Sequence, residues 1–223
     1  MNICIIPARA GSKRIPNKNK RPFLGKPIIE YAIEAAENSC MFDHIVISTD
    51  DQDIMKNYFG RCMMVDRSKE SGSDLATLTD VIQEALMQLE DGGIFPDSIC
   101  LVLPCAVFVN YTDLLMAYDD LDGNDCVFTV CKYPSHPLRA FGYMDNRFGM
   151  RLPEYANTRT QDFPDAYYDA GQFYFLDVRS FKKQNKIFMD KLQPYIIEAV
   201  DIDTEQDWIK AEAICGHTRI LEG

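Results

Sequence analysis

Through the first half of the chain, short β-rich runs alternate with longer stretches of helical periodicity, an order that restricts the fold to a parallel sheet carrying helices on its faces. Strands are predicted at Asn2 to Ile6, His44 to Thr49, Cys62 to Val65, Ser98 to Leu103 and Cys126 to Cys131. Between them, Pro27 to Ser39, Asp51 to Phe59, Ala76 to Glu90 and Asp113 to Leu121 read as helices. Right-handed crossovers then place helices on both faces, so the expected class is α/β with a doubly wound, mostly parallel sheet. From Lys132 to Tyr168 the pattern changes. Pro134, Pro137, Pro153 and Pro164 interrupt it, and Asp145-Asn146 between Phe141 to Met144 and Arg147 to Met150 predicts a hairpin. This segment reads as an insertion at 132–168 on the main sheet. Strands at Gln172 to Leu176 and Tyr195 to Val200, and a helix from Thr204 to about Cys215, return to the α/β pattern. One domain spanning 1–223 is expected, because domains usually run roughly 50 to 250 residues.

The formal charge of −11, from 23 Lys and Arg against 34 Asp and Glu, disfavours general affinity for nucleic acid or an anionic membrane, since both depend on Lys and Arg displacing counterions. An anionic ligand therefore has to be captured locally. No run approaches the roughly 18 apolar residues that cross a bilayer. The apolar start from Met1 to Ala8 leads into Arg and Lys, the reverse of a signal peptide, so the expected location is cytoplasmic. Eight cysteines form no CxxC pair and several lie in apolar strand-like runs, which points to free buried thiols in a reducing compartment rather than to zinc.

Two charged clusters break the average. From Pro7 to Ile29 there is no acid, while Arg9, Lys13, Arg14, Lys18, Lys20, Arg21 and Lys26 supply seven positive charges. The stretch follows an apolar strand, contains Gly11-Ser12 and is stiffened by Pro16, Pro22 and Pro27, so it reads as an ordered loop whose N–H groups can face a phosphate. A solvated basic loop would need neither Gly-Ser after a strand nor those prolines. The loop is not a P-loop, because Gly11-Ser12-Lys13 lacks the upstream glycine, and no G-x-G-x-x-G follows the first strand. Near the other end, Glu198, Asp201, Asp203, Glu205 and Asp207 place five acids in ten residues. Strand alternation would put Asp201 and Asp203 on one face with Ile202 on the other. Paired hard oxygens suit Mg2+, which commonly takes one or two carboxylates plus phosphate oxygens and water. The competing reading, that Asp203 or Thr204 caps the following helix, accounts for one acid and not two.

The run Ile6-Pro7-Ala8-Arg9-Ala10-Gly11-Ser12-Lys13-Arg14-Ile15-Pro16-Asn17-Lys18-Asn19 resembles the opening signature of the acylneuraminate cytidylyltransferases. Ile47-Ser48-Thr49-Asp50-Asp51 resembles that family's second strand, Arg67 followed by Ser73-Asp74-Leu75-Ala76-Thr77 its nucleotide loop, and Asp201-Ile202-Asp203-Thr204 its metal motif. Within the family, Asn157 to Asp162 and Tyr167 to Tyr174 look most like the pseudaminic acid enzymes. The resemblance implies a Rossmann-like nucleotidyltransferase fold and Mg2+ as cofactor. The substrates implied are CTP and an acidic nine-carbon sugar, with a homodimer formed through the insertion. It implies that Ala8, Arg9, Gly11, Ser12, Lys18, Arg67, Ala76 and Thr77 bind the nucleotide and that Arg159, Tyr168, Asp169 and Gln172 face the sugar. Asp201 and Asp203 would bind the metal, with Lys18, Arg9 and Asp203 carrying catalysis.

Where the family has Pro-Thr-x-Pro, this chain reads Pro104-Cys105-Ala106-Val107, losing a hydroxyl and a rigid ring, a departure that bears on the implied sugar pocket before the nucleotide pocket. Ala10 stands where glycine is commoner, which requires negative φ there. The expected reaction joins the sugar's anomeric hydroxyl to the α-phosphate of CTP with release of pyrophosphate. Alternatives are an N-acylneuraminate or legionaminate acceptor, a sugar-1-phosphate nucleotidyltransferase, and a silent protein that binds CTP or a CMP-sugar without turnover. The general base, the number of metal ions and the sugar's substituents are left open by the sequence.

Overall fold

The computed structural model describes residues 1–73 and 75–222; Asp74, part of the predicted nucleotide loop, lies outside them. In chain order the elements are β1 (Asn2–Pro7), β2 (Pro22–Phe23), β3 (Lys26–Pro27), α1 (Ile29–Ser39), β4 (His44–Thr49), α2 (Gln52–Tyr58), β5 (Met63–Asp66), α3 (Leu78–Asp91), β6 (Ser98–Val102) and α4 (Tyr111–Asp119). They continue with β7 (Cys126–Lys132), β8 (Phe141–Met144), β9 (Arg147–Met150), β10 (Tyr167–Asp177), α5 (Val178–Gln184), β11 (Leu192–Ile196) and α6 (Glu205–Glu222). Seven strands form the main sheet in the order β11-β7-β10-β6-β1-β4-β5. Six run parallel, and β10 is antiparallel to both of its neighbours, β6 and β7. Among the described residues no helix is long and apolar enough to cross a membrane.

Alternation along β1 decides which layer each side chain joins. Cys4 and Ile6 enter a core with Ile29, Ala32 and Ile33 of α1 and Leu114 of α4, while Ile3 and Ile5 enter the opposite core with Ile82, Leu86 and Leu89 of α3 and Phe181 of α5. Helices thus cover both faces. A third apolar cluster lies under the basic loop, where Ile15 and Phe23 of the loop pack with Cys105, Ile202 and Trp208 of α6. Trp208 is fully buried, edge-on to Phe23 at 5.4 Å.

Several boundaries differ from the sequence reading for local reasons. Helix α1 starts at Ile29 because Lys26–Pro27 pairs with Pro22–Phe23 as a small ladder. Helix α3 starts at Leu78 because Thr77 is its N-cap in a capping box with Asp80, and Asn110 does the same with Asp113 for α4. Strand β11 lies earlier than Tyr195 to Val200, and Asp201 to Asp203 follow it outside any strand. The alternation persists without the strand, since Ile202 is fully buried and the two flanking carboxylates point outward. The insertion is bounded by Lys132 and Tyr167, which pair across β7 and β10. Its hairpin β8–β9 turns through Asp145 and Asn146 at φ 48° and 62°, the two left-handed residues of a tight hairpin turn.

Candidate active site

Parallel strands deliver their C-terminal ends to one edge, and in open α/β sheets ligands bind outside that edge. Here the loops after β1, β4, β5 and β6 meet there. The reversed β10 brings Tyr168 to Gln172 to the same edge, because Phe173 pairs with Val102 at the end of β6. The segment after β11 adds Asp201 and Asp203. A cleft of ≈ 410 Å³ opens between the basic loop and the turn after β6; Arg9, Ser12, Lys13, Arg14, Lys18, Cys105 and Asp203 are among its walls.

The seven positive charges of the basic loop divide into two groups. Lys20 is spent on Asp51 (2.9 Å) and Asp53 (2.7 Å), Arg21 on Glu205 (2.6 Å) and the face of Trp208, and Lys26 on Glu34. These pairs fasten the rear of the loop to α2, α6 and α1. Arg9, Lys13, Arg14 and Lys18 line the cleft. Lys18 donates to the Ile202 carbonyl and stands 3.8 Å from Asp203, which Arg14 contacts at 2.9 Å. Arg9 donates to the Ser73 carbonyl at 3.2 Å, joining the loop to the segment before α3. Its own carbonyl accepts from Asn19 at 3.0 Å, and the Ala8 carbonyl accepts from the Thr49 hydroxyl at 2.5 Å. Among the described residues no atom would meet a Cβ at Gly11, so its bare backbone borders open space. Ser12 N–H bonds the Ala10 carbonyl at 3.1 Å, and Ala10 lies outside the left-handed region, as an alanine there requires.

Asp50, in the run Ile47 to Asp51, joins the end of β4 to the basic loop. Its Oδ1 accepts from Ala10 N–H at 2.7 Å, and its charge supports Arg67. Burial lowers the proton affinity of Arg67, Arg9 adds like-charge repulsion, and Asp50 opposes both. The Arg67 Nε is enclosed without a hydrogen-bond partner among the described residues. Ala76 borders a second cavity of ≈ 470 Å³ with Ser71 and Glu84, while the Thr77 hydroxyl is occupied in capping α3.

On the acidic side, Asp201 holds protons more tightly than an ordinary aspartate. Loss of water comes first among the causes, then the charge of Asp203, with Lys18 acting against them. A Cβ on Gly171, whose φ is +60°, would stand 3.3 Å from the Asp201 carboxyl carbon, so the bare glycine leaves room beside that carboxylate. Two crowded hard-oxygen donors with that space fit a divalent cation such as Mg2+. Among the described residues no group of three or more His, Cys, Asp or Glu is arranged to hold a metal, so remaining ligands would come from phosphate oxygens and water. Asp169 accepts from Gly171 N–H at 2.9 Å and from the Tyr174 hydroxyl at 2.7 Å. Tyr168 packs on Tyr133 at 5.0 Å, and burial, then Cys131, raises its phenol's proton affinity. Gln172 is fully buried, its amide nitrogen donating to the Ala170 and Gly171 carbonyls. Arg159 is not joined to this group: its guanidinium forks onto Asp162 at 2.9 and 3.2 Å on the exposed insertion. Cys105, the departure from the Pro-Thr-x-Pro pattern, is buried at the cleft wall. Burial pushes its thiol up and Lys18 pulls it back.

A family profile described as cytidylyltransferase matches residues 3–215. The chain is 37% identical over 217 residues, 92% of each chain, to a pseudaminic acid cytidylyltransferase of Campylobacter jejuni. It is 27% identical over 222 residues, 95% of each, to a CMP-N,N'-diacetyllegionaminic acid synthase of Legionella pneumophila. In fold it is similar to a solved CMP:2-keto-3-deoxy-manno-octonic acid synthetase complexed with CTP. There the TM-score is 0.69 at 14% identity, over 97% of this chain and 99% of that one. With a basic loop and a carboxylate pair facing each other at the C-terminal edge of a mostly parallel sheet, and a profile match across nearly its whole length, the chain belongs to the cytidylyltransferase family.

Proposed function

We propose that the chain transfers the cytidylyl group of CTP to the anomeric C2 hydroxyl of a nine-carbon 2-keto acidic sugar, pseudaminic acid being the favoured acceptor. The observation that carries this reading is the cleft itself, with four basic residues on one wall and Asp203, continuous with Asp201, on the other. Its acceptor follows the 37% identity to a pseudaminic acid cytidylyltransferase.

The sugar hydroxyl's oxygen forms a bond to the α-phosphorus as its proton passes to solvent and the bond to the pyrophosphate oxygen breaks. Negative charge spreads over the phosphoryl oxygens and onto the leaving pyrophosphate. Arg9 and Lys18, which line the cleft, would neutralise that charge, with Lys18 anchored by its bond to the Ile202 carbonyl. Arg67, half-buried beside Asp50, would offer its rigid donor fork to the nucleotide. Asp201 and Asp203 would hold Mg2+, which supplies Lewis-acid charge neutralisation at the phosphates when bound. Tyr168 and Asp169, beside Asp201, are proposed to face the sugar. The exposed aromatics Phe141, Tyr143 and Phe148 of the hairpin support a homodimer through the insertion, which would also give Arg159 a place at a shared site. Eight free cysteines support a reducing, cytoplasmic location.

The test is pyrophosphate release from CTP, UTP, ATP and GTP with Mg2+, each paired with pseudaminic, N-acetylneuraminic, legionaminic and 3-deoxy-octulosonic acids. Release confined to CTP with pseudaminic acid is expected. Release with another acid moves the acceptor, and silence across the panel with CTP still bound makes the protein a nucleotide-binding partner.

A further inference from the structure

Opposite one residue of β7, strand β10 spends four. Asp169 pairs with Val130 and Tyr174 with Phe128, so Thr129 alone faces Ala170, Gly171, Gln172 and Phe173. A bulge of that size takes several N–H and C=O groups off the ladder, and here Ala170, Gln172 and Phe173 are buried, away from water that could satisfy them. Two side chains do so. The Thr129 hydroxyl, fully buried, accepts from the N–H groups of Gln172 and Phe173, each at 3.2 Å, and donates to the Phe173 carbonyl at 3.3 Å. The Gln172 amide donates to the Ala170 and Gly171 carbonyls at 2.9 and 3.3 Å.

The product of this framework is the placement of Gly171. Its left-handed backbone lies against the Asp201 carboxylate, and Leu103 N–H bonds the Gln172 carbonyl at 2.9 Å, tying the bulge to the turn that carries Cys105. Bulges beside active sites commonly re-aim groups in this way. We propose that Thr129 is a positioning residue for Asp201: its hydroxyl holds the bulge whose bare Gly171 leaves that carboxylate the space in which it stands. The inference rests on Asp201 being a metal ligand. It assigns Thr129 a part in the reaction without contact to substrate.

Four variants of the full chain test it: Thr129→Val, Thr129→Ser, Gly171→Ala and Asp201→Asn. Each is measured for Mn2+ affinity in the presence of CTP by electron paramagnetic resonance, and for kcat and KM with CTP and the acceptor sugar. Because a misplacement of about 1 Å can cost on the order of 100-fold in rate, Thr129→Val is expected to lose ~10- to 100-fold in kcat and to bind Mn2+ more weakly. Its KM for CTP should be unchanged, since the Arg9 and Arg67 walls are untouched. Thr129→Ser, which keeps the hydroxyl, should restore kcat and Mn2+ binding. Gly171→Ala should reproduce Thr129→Val by displacing Asp201 directly, and it decides the matter if the valine variant does not fold. Wild-type kcat and Mn2+ affinity in folded Thr129→Val, or in Gly171→Ala, overturns the proposal while Asp201→Asn still loses Mn2+. Retention of Mn2+ by Asp201→Asn overturns the metal reading itself, and the proposal with it.

Discussion

Replacing Trp208 with alanine tests whether the apolar cluster beneath the basic loop supports both stability and the site. Trp208 is fully buried, edge-on to Phe23 and beneath the Arg21 guanidinium at 4.3 Å. Truncating a buried Trp costs about 3–5 kcal/mol through lost transfer energy and the cavity left behind. The Phe23 edge contact contributes about 0.5–1.5 kcal/mol of that figure and the Arg21 contact about 0.5–1 kcal/mol, since Arg21 is partly solvated and also paired with Glu205. For a chain of this length each kcal/mol moves Tm by roughly 2–4 °C, so a fall of about 6–20 °C is expected. Trp208 is the one tryptophan, so unfolding has to be followed by far-ultraviolet circular dichroism. Trp208→Phe should recover more than half of the loss. Because Ile15, Cys105 and Ile202 share this cluster, kcat at 20 °C should also fall by ~10-fold or more as Lys18 loses its register with Ile202. A loss under about 1.5 kcal/mol would refute the packing argument. Full destabilisation with unchanged kcat would refute the link to the site.

Replacing both Asp201 and Asp203 with Asn should lower turnover at saturating Mg2+ by at least ~100-fold, equivalent to about 2.7 kcal/mol; persistent turnover would mean the metal is held elsewhere. Arg61 binds Glu37 through two contacts of 2.8 Å and lowers its proton affinity below the ordinary 4.5. That stabilisation is therefore present above pH 4.5 and lost as pH falls through the folded value, so Glu37→Gln should lower Tm at neutral pH and converge with the wild-type curve as pH falls through the folded value, flattening the acid limb. On the proposed homodimer through the insertion, Phe148→Glu, on the exposed face of the hairpin, should give a monomer in sedimentation velocity where the unaltered chain sediments as a dimer, with CTP affinity unchanged; an unaltered chain that sediments as a monomer refutes that homodimer.

The parallel half of the sheet was legible because its strands are buried on both faces and bounded by turn residues, as β1 and β4 are. The middle of the sheet was less so. Strand β10 runs to Tyr167, but its first residues are exposed, and the bulge at Gly171 destroys the two-residue period that identifies a strand. The strand expected at Tyr195 to Val200 lies at Leu192–Ile196 instead: on an edge the missing N–H of Pro194 is tolerated, and the more apolar Ile197 to Val200 leave the ladder after Ile197 N–H bonds the Val130 carbonyl. In the candidate site, the basic cluster and the Asp201–Asp203 pair stood out by charge density. Which cations face the cleft did not, because the acids that claim Lys20, Arg21 and Lys26 sit up to 184 residues away. Asp50 and Thr129 were invisible for a related reason. Both act on backbone atoms of segments that the fold alone brings near.

The insertion leaves the sheet at Lys132 and returns at Tyr167, and those two residues are paired neighbours on β7 and β10. A short hairpin turn could replace everything between them without moving a strand. Topologically, the segment is a graft: the nucleotide half closes without it, while whatever the graft contacts is delivered to the edge where Asp169 and Asp201 stand. Residues 133–166 can therefore change in length and sequence without moving any strand of the sheet that carries the site.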